Sequence, residues 1–414
     1  MNVARNQLHR IAEKITQLFA LDSTWRLIDA YTPRVFGLVL QAFLIAEFGA
    51  EAYALPGWVL GTFGLILAFL PDPHSYILVR ANGVRAQALY ALTVPTLLFK
   101  ILVAVGVVIV CLATTSAQQV AAPHKQFWHI VALSALFYGS TEFLWAILGT
   151  ISLANGKTRR NAQAGIFARF IAIGLVFTAW KIGGVGIASI LVLATLPVFV
   201  MWGVLSPLSM RWRRVRFFFV HGFIRYAGWL QGIAIITGAL FQLPTIVLGV
   251  WPGADPLLVG IIAFTSRLLM AGLQPFQILQ SVVIRDVSIL HKRGGSLGRT
   301  PLWIVFKSGG IGFLTLALAG LGFMWSSGRI ESYALVLSAA LSAGVATSIW
   351  YRHELAVALV TSSARKIFLM GYAPTFALTM FATPLLMKLL GVDGLALAVI
   401  GGWVALSNSW RWVG

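Results

Sequence analysis

Residues 263–277, AFTSRLLMAGLQPFQ, are apolar enough for a buried helix, yet Arg267 sits near their middle. Lys100 lies as deep in another apolar run, and Glu142 is the one deep acid. A cationic side chain at the centre of a bilayer costs at least about 2.5–3.5 kcal/mol, so it is normally paired, solvated or useful. At helical spacing Gln274, Gln277 and Ser281 share the face of Arg267, and Tyr138 and Ser134 that of Glu142. Gln231, Gln242 and Thr245 form a third polar stripe, and Arg34 with Gln41 a fourth. A polar stripe in hydrocarbon must turn to a partner helix or to water. Four together favour a water-filled lumen. Guanidinium groups stay ionised and offer bidentate donors, so such a lumen suits phosphate or pyrophosphate and suits a cationic drug badly. Glu142 either pairs with Lys100 or Arg267 or carries a proton.

These residues need membrane helices to position them. The 414-residue chain is 59% hydrophobic and 10% charged, far below the roughly 25% charge of a soluble globule. Apolar spans are expected at about 30–50, 53–71, 90–113, 127–149, 163–180, 183–205, 222–248, 256–281, 301–325, 332–350, 367–389 and 392–409. The thinnest divisions are at 180–183 and 389–392. With the N-terminus inside, the inner segments hold 21 of the 31 Lys and Arg residues and the outer loops only Lys125, Lys181 and Arg329. That asymmetry favours an all-α membrane protein of twelve helices with both termini cytoplasmic. Basic loops such as RWRRVR (211–216) face headgroups or cytosol, so the net charge of +19 is no sign of nucleic-acid binding. The remaining seven cations lie within spans. Arg34, Arg169, Arg225 and Lys307 are near the inner boundary and Lys388 near the outer one, where side chains can snorkel. Lys100 and Arg267 are too deep for that.

The chain echoes itself. FGAE (48–51) precedes a span and then SYILVR (75–80); PGAD (252–255) precedes a span and then SVVIR (281–285). Two six-helix halves around a central cationic cavity are the expected architecture of a transporter built from a parallel repeat. The expected divisions are an amphipathic cytoplasmic or interfacial segment at 1–28, an N-terminal bundle at 29–205, a basic cytoplasmic linker at 206–221 and a C-terminal bundle at 222–414. Leu8, Ile11, Ile15 and Phe19 give the first segment its apolar face, and it lacks the apolar core of a signal peptide.

Catalytic patterns are missing. The outer acids Glu51, Asp255, Glu331 and Asp393 are scattered, and His74, His291 and His353 belong to separate inner loops without evident carboxylate pairing. There is no Walker loop, nucleophile elbow or HExxH, and the lone Cys111 offers neither disulfide nor thiolate metal site. No metal and no cofactor are expected. A membrane-embedded polysaccharide polymerase or ligase is the enzymatic alternative.

At the repeat turns the sequence resembles the polysaccharide/O-antigen flippases (Wzx type) of the multidrug/oligosaccharidyl-lipid/polysaccharide exporter superfamily. FGAEAYAL (48–55) followed by ILVR (77–80) is one match, and VGIIAFTSRLL (259–269) is the other, with Arg267 in place of the family's membrane-embedded arginine. Ile262 stands where that pattern has Tyr, Thr265 where it has Ala, and QLPTIV (242–247) replaces an acid. The resemblance implies an undecaprenyl-pyrophosphate-linked oligosaccharide carried from the cytoplasmic to the outer leaflet of a bacterial inner membrane by alternating access. On that reading the pyrophosphate meets Arg267, Lys100, Arg34, Arg169, Arg225 and Lys307. Gln274, Gln277, Gln242, Gln231, Tyr138 and Gln41 hydrogen-bond to sugar hydroxyls. A proton or sodium gradient is the candidate energy source, with Glu142 the candidate proton carrier. Polysaccharide polymerase and chain-length proteins are the candidate partners, beside the substrate and the bilayer. A cation-coupled multidrug antiporter of the same superfamily is the transport alternative, although such exchange usually requires lumen carboxylates.

Overall fold

The computed structural model describes residues 22–69, 158–205, 218–251, 253–292, 302–326, 331–361 and 364–409, with isolated positions between 102 and 148. Lys100, Tyr138 and Glu142 lie outside the described residues, as do the side chains of Arg225, Gln231, Gln274 and Gln277. So do the amphipathic segment as far as residue 21, most of the linker and nearly all of the spans expected at 90–113 and 127–149. The described residues are almost wholly helical: α1 Asp22–Phe48, α2 Ala50–Phe69, α3 Thr158–Ile182, α4 Ile187–Leu205, α5 Phe218–Val250 and α6 Pro256–Lys292. They continue with α7 Leu302–Ser326, α8 Ser332–Trp350, α9 Arg352–Thr361, α10 Ala364–Lys366, α11 Ala373–Leu390 and α12 Val392–Asn408. A π turn, Ile367–Tyr372, joins α10 to α11.

Six stretches among the described residues are long and apolar enough to cross a membrane: Arg159–Ile182, Ile187–Leu205, Pro256–Leu273, Trp303–Ser326, Ser332–Trp350 and Ile367–Leu390. Their outward faces are apolar. Phe167, Phe170 and Phe177 are exposed along α3, as are Leu378, Phe381, Leu385 and Leu389 along α11. In water these rows would be aggregation surfaces; against lipid they are what a spanning helix requires. This is a multi-pass membrane protein.

The chain divides into two compact units. The first contains α1 to Glu47, α3 and α4, with a core of Trp145, Leu148, Ala168 and Val198. Trp25 meets Arg159 at one end of α1, and Phe43 meets Trp180 at the other, so α1 and α3 run in the same direction. Parallel neighbours in a membrane require an odd number of crossings between them; the expected spans two to four would supply it.

The second unit contains α2, α5 from Ile224 onward, and α6 to α12. Here the backbone packs closely through glycine, as membrane helices do without a hydrophobic drive between them. A Cβ on Gly260 of α6 would collide with the Ala50 carbonyl of α2, and one on Gly249 of α5 with the Trp58 ring. The Trp58 indole donates to the Ile246 carbonyl at 3.3 Å, tying α2 to α5. Phe241 of α5 stacks edge-on against Trp403 of α12, with ring centroids 4.7 Å apart.

Glycine shapes the turns between the described helices. Gly49 and Gly253, the glycines of FGAE and PGAD, have φ of +86° and +77°, a region that side chains resist. The two thin divisions are also glycine turns: Gly183 and Gly184 between α3 and α4, and Gly391 between α11 and α12, all with positive φ. Asp255 then caps α6, accepting from the Leu257 amide at 2.9 Å.

Candidate functional site

Arg169 lies in the first unit and does not snorkel. Its residue is only 4% exposed, its Nη1 donates to the Gly165 carbonyl at 3.0 Å, and its guanidinium lies 5.0 Å from the Trp145 ring centroid. Gly165 is a space requirement of that nest, because a Cβ there would strike both Trp145 and Arg169. Arg34 is half-buried on α1, and Gln41, two turns further on, is buried. The structure places Arg34, Gln41 and Arg169 in one unit and Arg267, Gln242 and Lys307 in the other.

In the second unit, Arg267 is half-buried on α6. Among the described residues it has no hydrogen bond or ion pair. Its neighbour Ser266 is fully buried, and Met270, one turn on, accepts from Gln242 Nε2 at 3.5 Å. Pro275 removes one helical N–H, freeing the Ala271 carbonyl one turn from Arg267. Gln242 and Thr245 point toward α2: a Cβ on Gly61 would meet both. That stripe is therefore used in helix packing, one of the two uses open to it.

Lys307 is fully engaged. Its Nζ lies 2.7 Å from Glu354 Oε1, donates to the Trp350 carbonyl at 2.7 Å, and faces the rings of Trp350 and Tyr351 at 4.7 and 4.9 Å. Trp303 Nε1 donates to the same Glu354 oxygen at 3.1 Å. This network locks α7, the end of α8 and α9 together. His353 is buried beside it against Phe306, and burial pulls its imidazole below the usual range, with Glu354 pulling the other way. Lys388 is exposed near the end of α11.

One group was not legible as a site. Arg352 follows α8 by a single residue and reads as an inner-loop cation, but the chain turns at Tyr351 straight into α9 and buries it. Its Nη1 donates to Gln280 Oε1 of α6 at 2.7 Å, and Tyr372 of the π turn lies close enough to act on its charge. The run WYRHE (350–354) was the available signal, since aromatics beside an Arg-His-Glu triplet suit a buried polar network.

Known structures share this arrangement of helices. The chain matches a eukaryotic MATE transporter, AtDTX14, over 97% of its own length and 95% of that chain, with a TM-score of 0.57 at 11% identity. The fold is MATE-like. A second MATE transporter, VcmN of Vibrio cholerae in an Asp-to-Asn variant, matches over 96% and 95% of the two chains, with a TM-score of 0.51 at 14% identity. No family model matches the sequence, and no curated protein matches it. A MATE-like fold sets the path of the chain and leaves the cargo to the side chains. Among the described residues, no group of three His, Cys, Asp or Glu side chains could hold a metal ion.

Proposed function

We propose that the chain is a membrane exporter that flips a pyrophosphate-linked oligosaccharide lipid by alternating access, with twelve spans and both ends cytoplasmic. One observation carries this reading: Arg267, about ten residues into α6 and half-buried, has no carboxylate or other polar partner among the described residues. A guanidinium with no counter-charge among the described residues suits an anionic ligand, and a pyrophosphate offers two charges and several acceptors. Lys100 and Arg34 are the further cations that the sequence offers to the anion, and Gln274 and Gln277 the amides that it offers to the sugars. Arg169 and Lys307 act on the substrate only through the field they add, because their own contacts hold them in place.

A second reading is an antiporter for cationic drugs, supported by the MATE transporters that share the fold. Against it stands the supply of acids, since Glu142 is the single deep carboxylate in the sequence. Reconstitution separates the two. Wild-type protein in liposomes should flip a fluorescent undecaprenyl-pyrophosphate oligosaccharide and leave a lipophilic cationic dye where it is. Dye efflux driven by a proton or sodium gradient, without lipid flipping, would reverse the choice.

A further inference from the structure

The second unit holds a half-open cavity of about 410 Å³ between α5, α6, α8, α9, the π turn and α12. Its polar wall is Thr237, Gln280, Ser348, Arg352, Tyr372 and Ser407. Phe241, Leu355 and Leu406 are among its apolar residues. Arg352 is 7% exposed, so its charge has been taken out of water. The compensation is thin. Nη1 donates to the neutral Gln280 at 2.7 Å, Nη2 reaches the neutral Ser348 Oγ at only 3.5 Å, and the buried Nε has no hydrogen-bond partner among the described residues.

Among the described residues Arg352 has no ion pair, and the acid nearest to it in sequence already has a partner. Glu354, two residues on, is paired with Lys307 on the other side of α9. A buried cation without a carboxylate is strongly unfavourable and persists where something else supplies the negative charge. Burial lowers the Arg352 guanidinium to about 10, so it is still charged at neutral pH. The backbone also departs from regularity here: the π turn Ile367–Tyr372 carries Tyr372 into the cavity wall, and such turns recur at functional sites.

We propose that this cavity binds a singly charged oxyanion, a carboxylate or a phosphodiester, on Arg352, with Tyr372 and Ser348 as neighbouring hydrogen-bonding groups. One guanidinium with no ion pair among the described residues matches one negative charge. The half-apolar wall and the volume, within the range of small-molecule pockets, suit a sugar acid or the glycerophosphate end of a lipid better than a bare ion. The site stands whichever cargo the protein exports.

The test is thermal denaturation of the purified full-length chain in detergent, titrated with glucuronate, with neutral glucose and with dihexanoylphosphatidylglycerol. The expected result is a saturable rise in Tm with one of the two oxyanions and none with glucose. A rise with glucuronate assigns the site to a sugar carboxylate, and a rise with the short-chain lipid to a headgroup. Arg352→Gln should abolish the response. Since that variant can also fail to fold, Gln280→Glu provides a second test. A carboxylate placed 2.7 Å from Nη1 should occupy the charge, raise the ligand-free Tm and cut the apparent affinity at least about tenfold. No response to either oxyanion in the wild type, or an undiminished response in Gln280→Glu, would overturn the proposal.

Discussion

Lys307 and Glu354 show how a cation inside an apolar helix is held by contacts within the protein itself. Each is less than a quarter exposed, and the pair shares an acceptor with Trp303. Glu354→Gln should leave the ammonium with the aromatic rings, the Trp350 carbonyl and a neutral amide oxygen in place of the carboxylate. The expected loss is about 2 kcal/mol, below the roughly 3–5 kcal/mol of a fully buried pair. The double variant Lys307→Met, Glu354→Gln should recover part of that loss in detergent melting curves, as a pairwise coupling requires. His353 gives a pH signature. Its folded-state pKa is depressed by burial, so the unfolded chain binds the extra proton more readily. Stability should be full above the unfolded value of about 6.5 and fall as pH drops below it, and His353→Gln should flatten that part of the Tm profile between pH 8 and pH 5. Neither partnership was visible in the sequence, where Lys307 lies 47 positions from Glu354 and no periodicity links them. Arg267 was visible because an isolated charge in an apolar run needs no tertiary information to stand out.

At the scale of elements, apolar length and glycine did most of the predicting. The turns at Gly183 and Gly391 fall where the sequence offers only a few residues between long apolar runs, and positive φ explains why glycine occupies them. The matching FGAE and PGAD turns work in the same way. What hydropathy could not supply is which helices touch. The α2–α6 contact depends on a glycine opposite a backbone carbonyl, and nothing in the apolar pattern distinguishes Gly260 from Gly238, around which a Cβ would meet nothing. Gly260→Ala should therefore destabilise the second unit by about 3 kcal/mol, the upper end for overpacking, whereas Gly238→Ala should leave the melting temperature nearly unchanged. The π turn escaped sequence reading as well, because one extra residue in a helix leaves no compositional trace.

For the whole molecule, the chain follows a MATE-like path and turns apolar faces outward, and the proposed cargo rests on charge. The inside-positive bias predicts that single cysteines at Ser296 and Gln118, on a Cys111→Ser background, react with an impermeant thiol reagent from opposite sides of the membrane. Ser296 should label from the cytoplasmic side and Gln118 from the outside. Labelling of both from one side would change the number of crossings between them. The central claim is tested most directly by flipping of a fluorescent undecaprenyl-pyrophosphate oligosaccharide in proteoliposomes, wild type beside Arg267→Ala, at matched reconstitution and Tm. Loss of charge-assisted hydrogen bonds worth about 1.5–3 kcal/mol predicts flipping slowed roughly ten- to a hundredfold, with Arg267→Lys intermediate. Flipping by Arg267→Ala at the wild-type rate would contradict the account.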